Sequence, residues 1–167
     1  MSFHKITYSD LKLNPFDVFD KEWMLLSAGS EGDFNTMTVS WGALGFIWGN
    51  PAVTAYVRHS RYTHEFIEKN DCFTLSVLRD GYKTQLNRLG SESGRDIDKM
   101  GDSGLTPVFV DGCPTFREAK LVLVCKTVFS NEMQEDGFVS KETLDKWYPG
   151  RDLHTMYIGE IIACYEG

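Results

Sequence analysis

Between Asn35 and Gly42 the chain alternates with a period of two: the hydroxyl residues Thr36, Thr38 and Ser40 interleave with Met37, Val39 and Trp41. Such alternation puts the two sets on opposite faces of a strand. Upstream, the compact apolar run from Glu22 to Ala28 leads into Gly29-Ser30-Glu31-Gly32-Asp33, a cluster of turn formers. Strand, turn and strand together predict a β-hairpin. Further strands are predicted after Pro51 (residues 52–58), from Cys72 to Leu78, from Ala119 to Phe129 and from Met156 to Tyr165. In the last of these, Gly159 points to a bulge or a close backbone approach.

Short helices are predicted between these strands. Residues 63–70 carry Thr63 at the start, where a hydroxyl accepts orphan backbone N–H groups, and Asn70 at the stop. Residues 82–89 form a second helix closed by Gly90, and residues 141–147 a third, ended by Tyr148-Pro149-Gly150. Residues 91–104 read as a polar loop anchored by Ile97 and Met100, and residues 130–137 as a polar turn. Residues 1–20 form a leader across the rest. Strands outnumber helices and no long βαβ alternation occurs, so the reading is mainly β: an antiparallel barrel or sandwich with a few covering helices. The chain is taken as one domain over residues 1–167.

Composition narrows the function classes. With 167 residues and 42% hydrophobic content the chain has an ordinary globular balance, and roughly 70% of its surface is expected to be buried. Seventeen Lys and Arg against 24 Asp and Glu give a net charge of −7, the wrong sign for bulk attraction to nucleic acid or anionic lipid. No apolar stretch reaches a membrane span and the N-terminus lacks a signal-peptide block, which predicts a soluble, cytoplasmic chain. Cys72, Cys113, Cys125 and Cys164 are widely spaced without a CxxC pair, and are read as free core thiols. The four histidines, His4, His59, His64 and His154, form no ligand spacing, so no metal site is predicted.

Two stretches carry candidate chemistry. Arg58-His59-Ser60-Arg61-Tyr62-Thr63 joins a strand end to a helix start, where free N–H groups and the positive end of the macrodipole meet two guanidiniums and two hydroxyls. That set suits a phosphate dianion, which guanidinium forks grip two oxygens at a time; the same set is also what a solvated basic helix cap contains. The hydroxyl face of residues 36–40 either is simply wet or lines a polar ligand shelf.

Four blocks in order, NTMTVSWG (35–42), RHSRYT (58–63), SGRDIDKM (93–100) and HTMYIGEI (154–161), with Thr-Pro-Val and a Glu-Ala-x-Leu-x-Leu-x-Cys strand among them, resemble the flavin reductase-like FMN-binding split barrels, the group that includes flavoredoxins. The resemblance implies an antiparallel six-stranded Greek-key split β-barrel, a homodimer, and one FMN per subunit near the interface. It also implies that Thr38 and Trp41 touch the cofactor while Val39 and Ser40 offer backbone groups to the ring. Arg58, His59, Ser60, Arg61, Tyr62 and Thr63 would surround the ribityl phosphate, and Lys99 would reach FMN. His154 falls where a catalytic histidine stands near flavin and nicotinamide; a hydrogen-bonded histidine at a strand start fits the residue equally. Arg61 departs from the group's usual Thr, which moves the expected hydroxyl contact to Ser60 or Thr63. The implied activity is NAD(P)H-dependent reduction through bound FMN, or electron carriage between a donor and a redox partner protein. The Rossmann glycine fingerprint is missing from the sequence, so any nicotinamide would bind transiently.

Overall fold

Why the run from Glu22 to Ala28 is apolar throughout becomes plain in the computed structural model: its strand is buried on both faces. The structure describes residues 2–101 and 103–167, so Met1 of the leader and Asp102 of the polar loop lie outside it. In chain order the strands are β1 (His4–Ile6), β2 (Met24–Ser30), β3 (Asp33–Val39), β4 (Gly42–Ile47), β5 (Asn50–Arg58), β6 (Cys72–Leu78), β7 (Pro107–Val110), β8 (Cys113–Phe116), β9 (Ala119–Glu132) and β10 (His154–Glu166). The helices are α1 (Pro15–Asp17), which runs on into a wider turn over Val18–Glu22, then α2 (Tyr62–Lys69), α3 (Lys83–Ser91) and α4 (Lys141–Trp147).

One antiparallel sheet has the order β3-β2-β6-β9-β10-β5-β4, with β1 added to β10. It therefore holds eight strands, two beyond the six expected, because β10 is long enough to carry two neighbours in succession on one edge. Its residues 154–160 pair with β5 and its residues 164–166 with β1, while β9 lies along the other edge. Register shifts at Ile158/Gly159 and Ile161/Ala163 let this strand bend. Gly159 is the close approach expected: a Cβ there would stand 2.6 Å from Phe73 Cζ. The two margins of the sheet, β3 and β4, are consecutive in sequence and joined only by Ser40 and Trp41. The sheet is thus rolled, with its open side at that link.

Inside the roll, Leu26, Val53, Val57, Phe73, Leu75, Leu123 and Tyr157 form one core, onto which Ile6, Leu11 and Leu13 of the leader pack. Outside it, Leu25, Leu86, Leu89, Phe116, Val122 and Val124 form a second core. There α3 and the β7–β8 hairpin cover the sheet, the hairpin held also by Thr74 Oγ1 donating to the Pro114 carbonyl (2.5 Å) and by the Ser76–Thr115 hydroxyl pair (2.8 Å).

Several expectations need correction. Cys72 and Cys113 form a disulfide between β6 and β8, while Cys125 and Cys164 are free and buried. Their separation of 41 residues hid a pairing that exists only once the hairpin folds over β6, and the compartment argument from free thiols loses this support. Thr63 lies inside α2 rather than capping it; Arg61 holds the cap position and contributes no side-chain bond there. Gly90 lies within α3, which ends a residue later. Ile97 is more than a third exposed, whereas Lys99 and Ser103 are buried, so the polar loop is anchored by Met100 and by polar side chains. Residues 130–132 continue β9, and only 133–137 leave the sheet. The strands β1, within the leader, and β4, β7 and β8 are not foreseen by the sequence reading.

Candidate functional site

At the open side of the roll lies a cleft of about 390 Å³, lined by Met37, Thr38, Val39, Ser40, Trp41, Tyr56, Arg58, Arg61, Gly90, Trp147 and His154. Antiparallel register builds one wall, because His154 opens β10 directly opposite Arg58 at the end of β5, and Tyr56 stands two residues back on the same face of β5. The other wall is the β3–β4 link. Trp41 there meets the edge of Trp147 at 5.2 Å (89°) and lies 5.1 Å from the His154 ring. Ser140 starts α4 by accepting a hydrogen bond from the Thr143 N–H, and the last residue of that helix is Trp147. The cleft is therefore lined by aromatic rings together with two arginines.

Those cations are held by backbone carbonyls. Arg58 donates to the Asp152 carbonyl (2.8 Å) and the Trp147 carbonyl (3.2 Å), and its guanidinium lies 5.0 Å from the Tyr148 ring centre. Arg61 donates to the carbonyls of Gly90 (2.6 Å) and Leu89 (3.0 Å) at the end of α3. Lys99 Nζ joins it there, donating to Leu89 (3.0 Å) and Thr36 (3.2 Å). Two cations thus meet the negative end of one helix. Burial, then the Arg61 charge, brings Lys99 down to about 8, against a smaller pull from Glu92. Burial also lowers Arg61, opposed by Asp152.

His154 is 7% exposed. Burial, followed by the neighbouring Arg58, depresses it to about 4 despite the opposing Asp152 carboxylate, so it is neutral at neutral pH. Its Nδ1 lies 2.8 Å from the Tyr148 hydroxyl, whose other contact is the weak acceptor Met133 Sδ at 3.7 Å. Imidazole nitrogen is the better acceptor. Tyr148 accordingly donates to Nδ1, an assignment from acceptor strength that puts the proton of the neutral ring on Nε2.

The sequence-predicted residues divide into two groups. Thr38, Val39, Ser40, Trp41, Arg58, Arg61 and His154 come together on the cleft. The Thr38 hydroxyl donates to the Leu86 carbonyl (2.5 Å), Thr36 is buried against Ser27 and Leu26, and Val39 turns into the core. α3 therefore covers most of the hydroxyl face, and Ser40 alone of that set is exposed. His59, Ser60, Tyr62, Thr63 and Lys99 are not among the cleft walls. His59 and His64 both lie 3.0 Å from the Thr155 hydroxyl, on the other face of β10. Ser60 donates to the Asp152 carboxylate. Tyr62 packs on Phe66 with Arg95 over its ring, and Thr63 accepts from Asn35 Nδ2 (2.9 Å). Sequence reasoning missed Tyr56, Trp147, Tyr148 and Asp152. The alternation of residues 52–58 places Tyr56 on the Arg58 face, but nothing local links 147–152 to that strand.

An aromatic slot with one imidazole donor and two guanidiniums suits a planar conjugated ring with an anionic or polyol tail, within the size range of small-molecule sites. The profile described as Flavin reductase like domain matches residues 18–167. Among curated proteins no relative matches. Similar solved structures include a flavoredoxin from Methanosarcina acetivorans, with 24% identity over 95% of this chain and 75% of that one and a TM-score of 0.69. An FMN-binding domain of a flavin reductases-like enzyme from Shewanella baltica has 20% identity over 99% and 77%, with a TM-score of 0.69. An NADH:FAD oxidoreductase of Streptomyces globisporus, in complex with NAD and FAD fragments, has 19% identity over 89% and 78%, with a TM-score of 0.65. At these identities the likeness is one of fold.

Proposed function

We propose, from the premise that this chain belongs to the flavin reductase-like domain family, that its cleft holds FMN and that the protein is an oxidoreductase drawing electrons from NAD(P)H. The observation that carries the reading is the lining of the cleft itself, which combines Trp41, Trp147, Tyr56 and His154 with Arg58 and Arg61. FMN supplies the redox chemistry when bound, accepting a hydride at its ring and returning electrons singly or in pairs. Trp41 and Trp147, in edge-to-face contact with each other, would give the ring an apolar surface to lie against. Arg58 and Arg61 hold positive charge where negative charge must settle, already oriented by their carbonyl partners. His154 offers its Nε2–H as a hydrogen-bond donor, and Tyr148 keeps that tautomer. Lys99 acts from behind, holding the end of α3 and adding its charge beneath the slot.

A carrier reading, in which electrons come from a partner protein, is favoured by one observation: Trp147, at the cleft wall, is 46% exposed and so open to contact from outside. Anaerobic mixing with NADH or NADPH separates the two. Rapid bleaching of bound flavin supports the reductase, bleaching only after a partner reductase is added supports the carrier, and a protein that binds no flavin refutes both. We also propose a homodimer joined through the exposed apolar residues Phe46, Trp48, Val128 and Phe129, where Trp48 and Phe129 lie 6.3 Å apart with their rings tilted at 57°. Light scattering is expected to give about twice 19.0 kDa; a mass near 19.0 kDa with flavin bound would refute it.

A further inference from the structure

The two donors of Ser60, two residues beyond the cleft residue Arg58 and in the block that the family resemblance sets around the phosphate, are already occupied by this chain's own carboxylate. Asp152 accepts from the Ser60 hydroxyl through Oδ2 (2.5 Å) and from the Ser60 N–H through Oδ1 (3.2 Å). Its backbone carbonyl takes one arm of Arg58, and the Trp147 carbonyl takes another. The segment that delivers it is anchored on both sides. Leu153 packs with Leu144 and Tyr148, while Arg151, held at φ +57°, pairs with Asp145 (2.8 Å) and Glu135 (3.2 Å).

A phosphate monoester brought to Ser60 must evict that carboxylate or sit beside it, and either course sets anion against anion. A neutral polyol tail meets the opposite situation, since its hydroxyls can donate to the carboxylate. We infer that Asp152 is a specificity-determining residue: it narrows the preference for phosphorylated over unphosphorylated flavin, an inference resting on the flavin reading above. Asp152 does so as an internal competitor for the Ser60 donors, and the guanidiniums supply the attraction it offsets.

The test compares FMN and riboflavin titrations, followed by flavin fluorescence, in wild type and Asp152→Asn. Asn keeps an acceptor for Ser60 and removes the charge. The ratio of riboflavin to FMN dissociation constants is expected to rise tenfold or more in the variant, with riboflavin binding unchanged or weaker. Asp152→Ser, run alongside, is expected to move the ratio in the same direction. A ratio within twofold of wild type in both variants overturns the inference and leaves the flavin reading standing. Thermal denaturation with inorganic phosphate gives an independent readout: the Asn variant is expected to gain more stabilisation than wild type. If neither protein binds flavin but phosphate still distinguishes them, the flavin reading falls and the role of Asp152 at an anion seat survives. If phosphate stabilises both equally as well, both fall.

Discussion

Replacing His154 with Asn tests the electrostatics of the cleft without reference to any ligand. The unfolded chain protonates this imidazole near its ordinary 6.5, while the folded chain resists until about 4. Because the folded value is depressed, the stabilising contribution is fully present above 6.5 and is lost as pH falls toward 4. At about 1.4 kcal/mol per pH unit the whole displacement is worth about 3 kcal/mol. Between pH 7.5 and 5.5, above the isoelectric point near 5.0, the same two values give a loss on the order of 1 kcal/mol. Other groups titrate in this window too, so the quantity to measure is a double difference: urea-unfolding free energies of wild type and His154→Asn at the two pH values. Wild type is expected to lose about 1 kcal/mol more than the variant. A double difference indistinguishable from zero would mean that the imidazole is not held neutral by burial and Arg58. The donor role given to its Nε2–H would then have no foundation.

Three further outcomes are expected. Arg58→Ala weakens FMN binding by about 1.5 to 3 kcal/mol, roughly a tenfold to hundredfold rise in Kd, and an unchanged titration would remove Arg58 from the site. Gly159→Ala forces a Cβ within 2.6 Å of Phe73 Cζ and 2.9 Å of Cys125 Cβ, so denaturant unfolding should register a loss of about 1 to 3 kcal/mol; wild-type stability would show that the core yields there. Thiol counting in guanidinium should find two reactive cysteines without reductant and four with it. Closing 41 residues places the stability lost on reduction at up to about 4 kcal/mol, and four thiols at the outset would refute the disulfide.

Strongly periodic segments were legible in the sequence. The alternation of residues 36–41 foretells β3, the β-branched run after Pro51 foretells β5, and the stop at Tyr148-Pro149-Gly150 closes the helix expected over residues 141–147, which is α4. Less regular strands escaped: β4 is rich in glycine, and β7 and β8 are too short to display a period. For the site, Arg58 at the end of β5 and Trp41 in the β3–β4 link reach the cleft from short, recognisable blocks of sequence. Partners brought by long loops were not. Tyr148 and Asp152 reach Arg58 and Ser60 from about 90 residues away, and no local pattern encodes that meeting. For Lys99 the resemblance implies contact with FMN, and what no local pattern foretells is its burial, with Nζ donating to the Leu89 and Thr36 carbonyls.

A cylinder whose two margins meet only through Ser40 and Trp41 has a seam with no ladder of backbone bonds to hold it. Thermal breathing concentrates along such a line, and a guest lodged there rivets one lip to the other. Occupancy would then be written into the slow amide exchange of β3 and β4 well before it altered any distant strand.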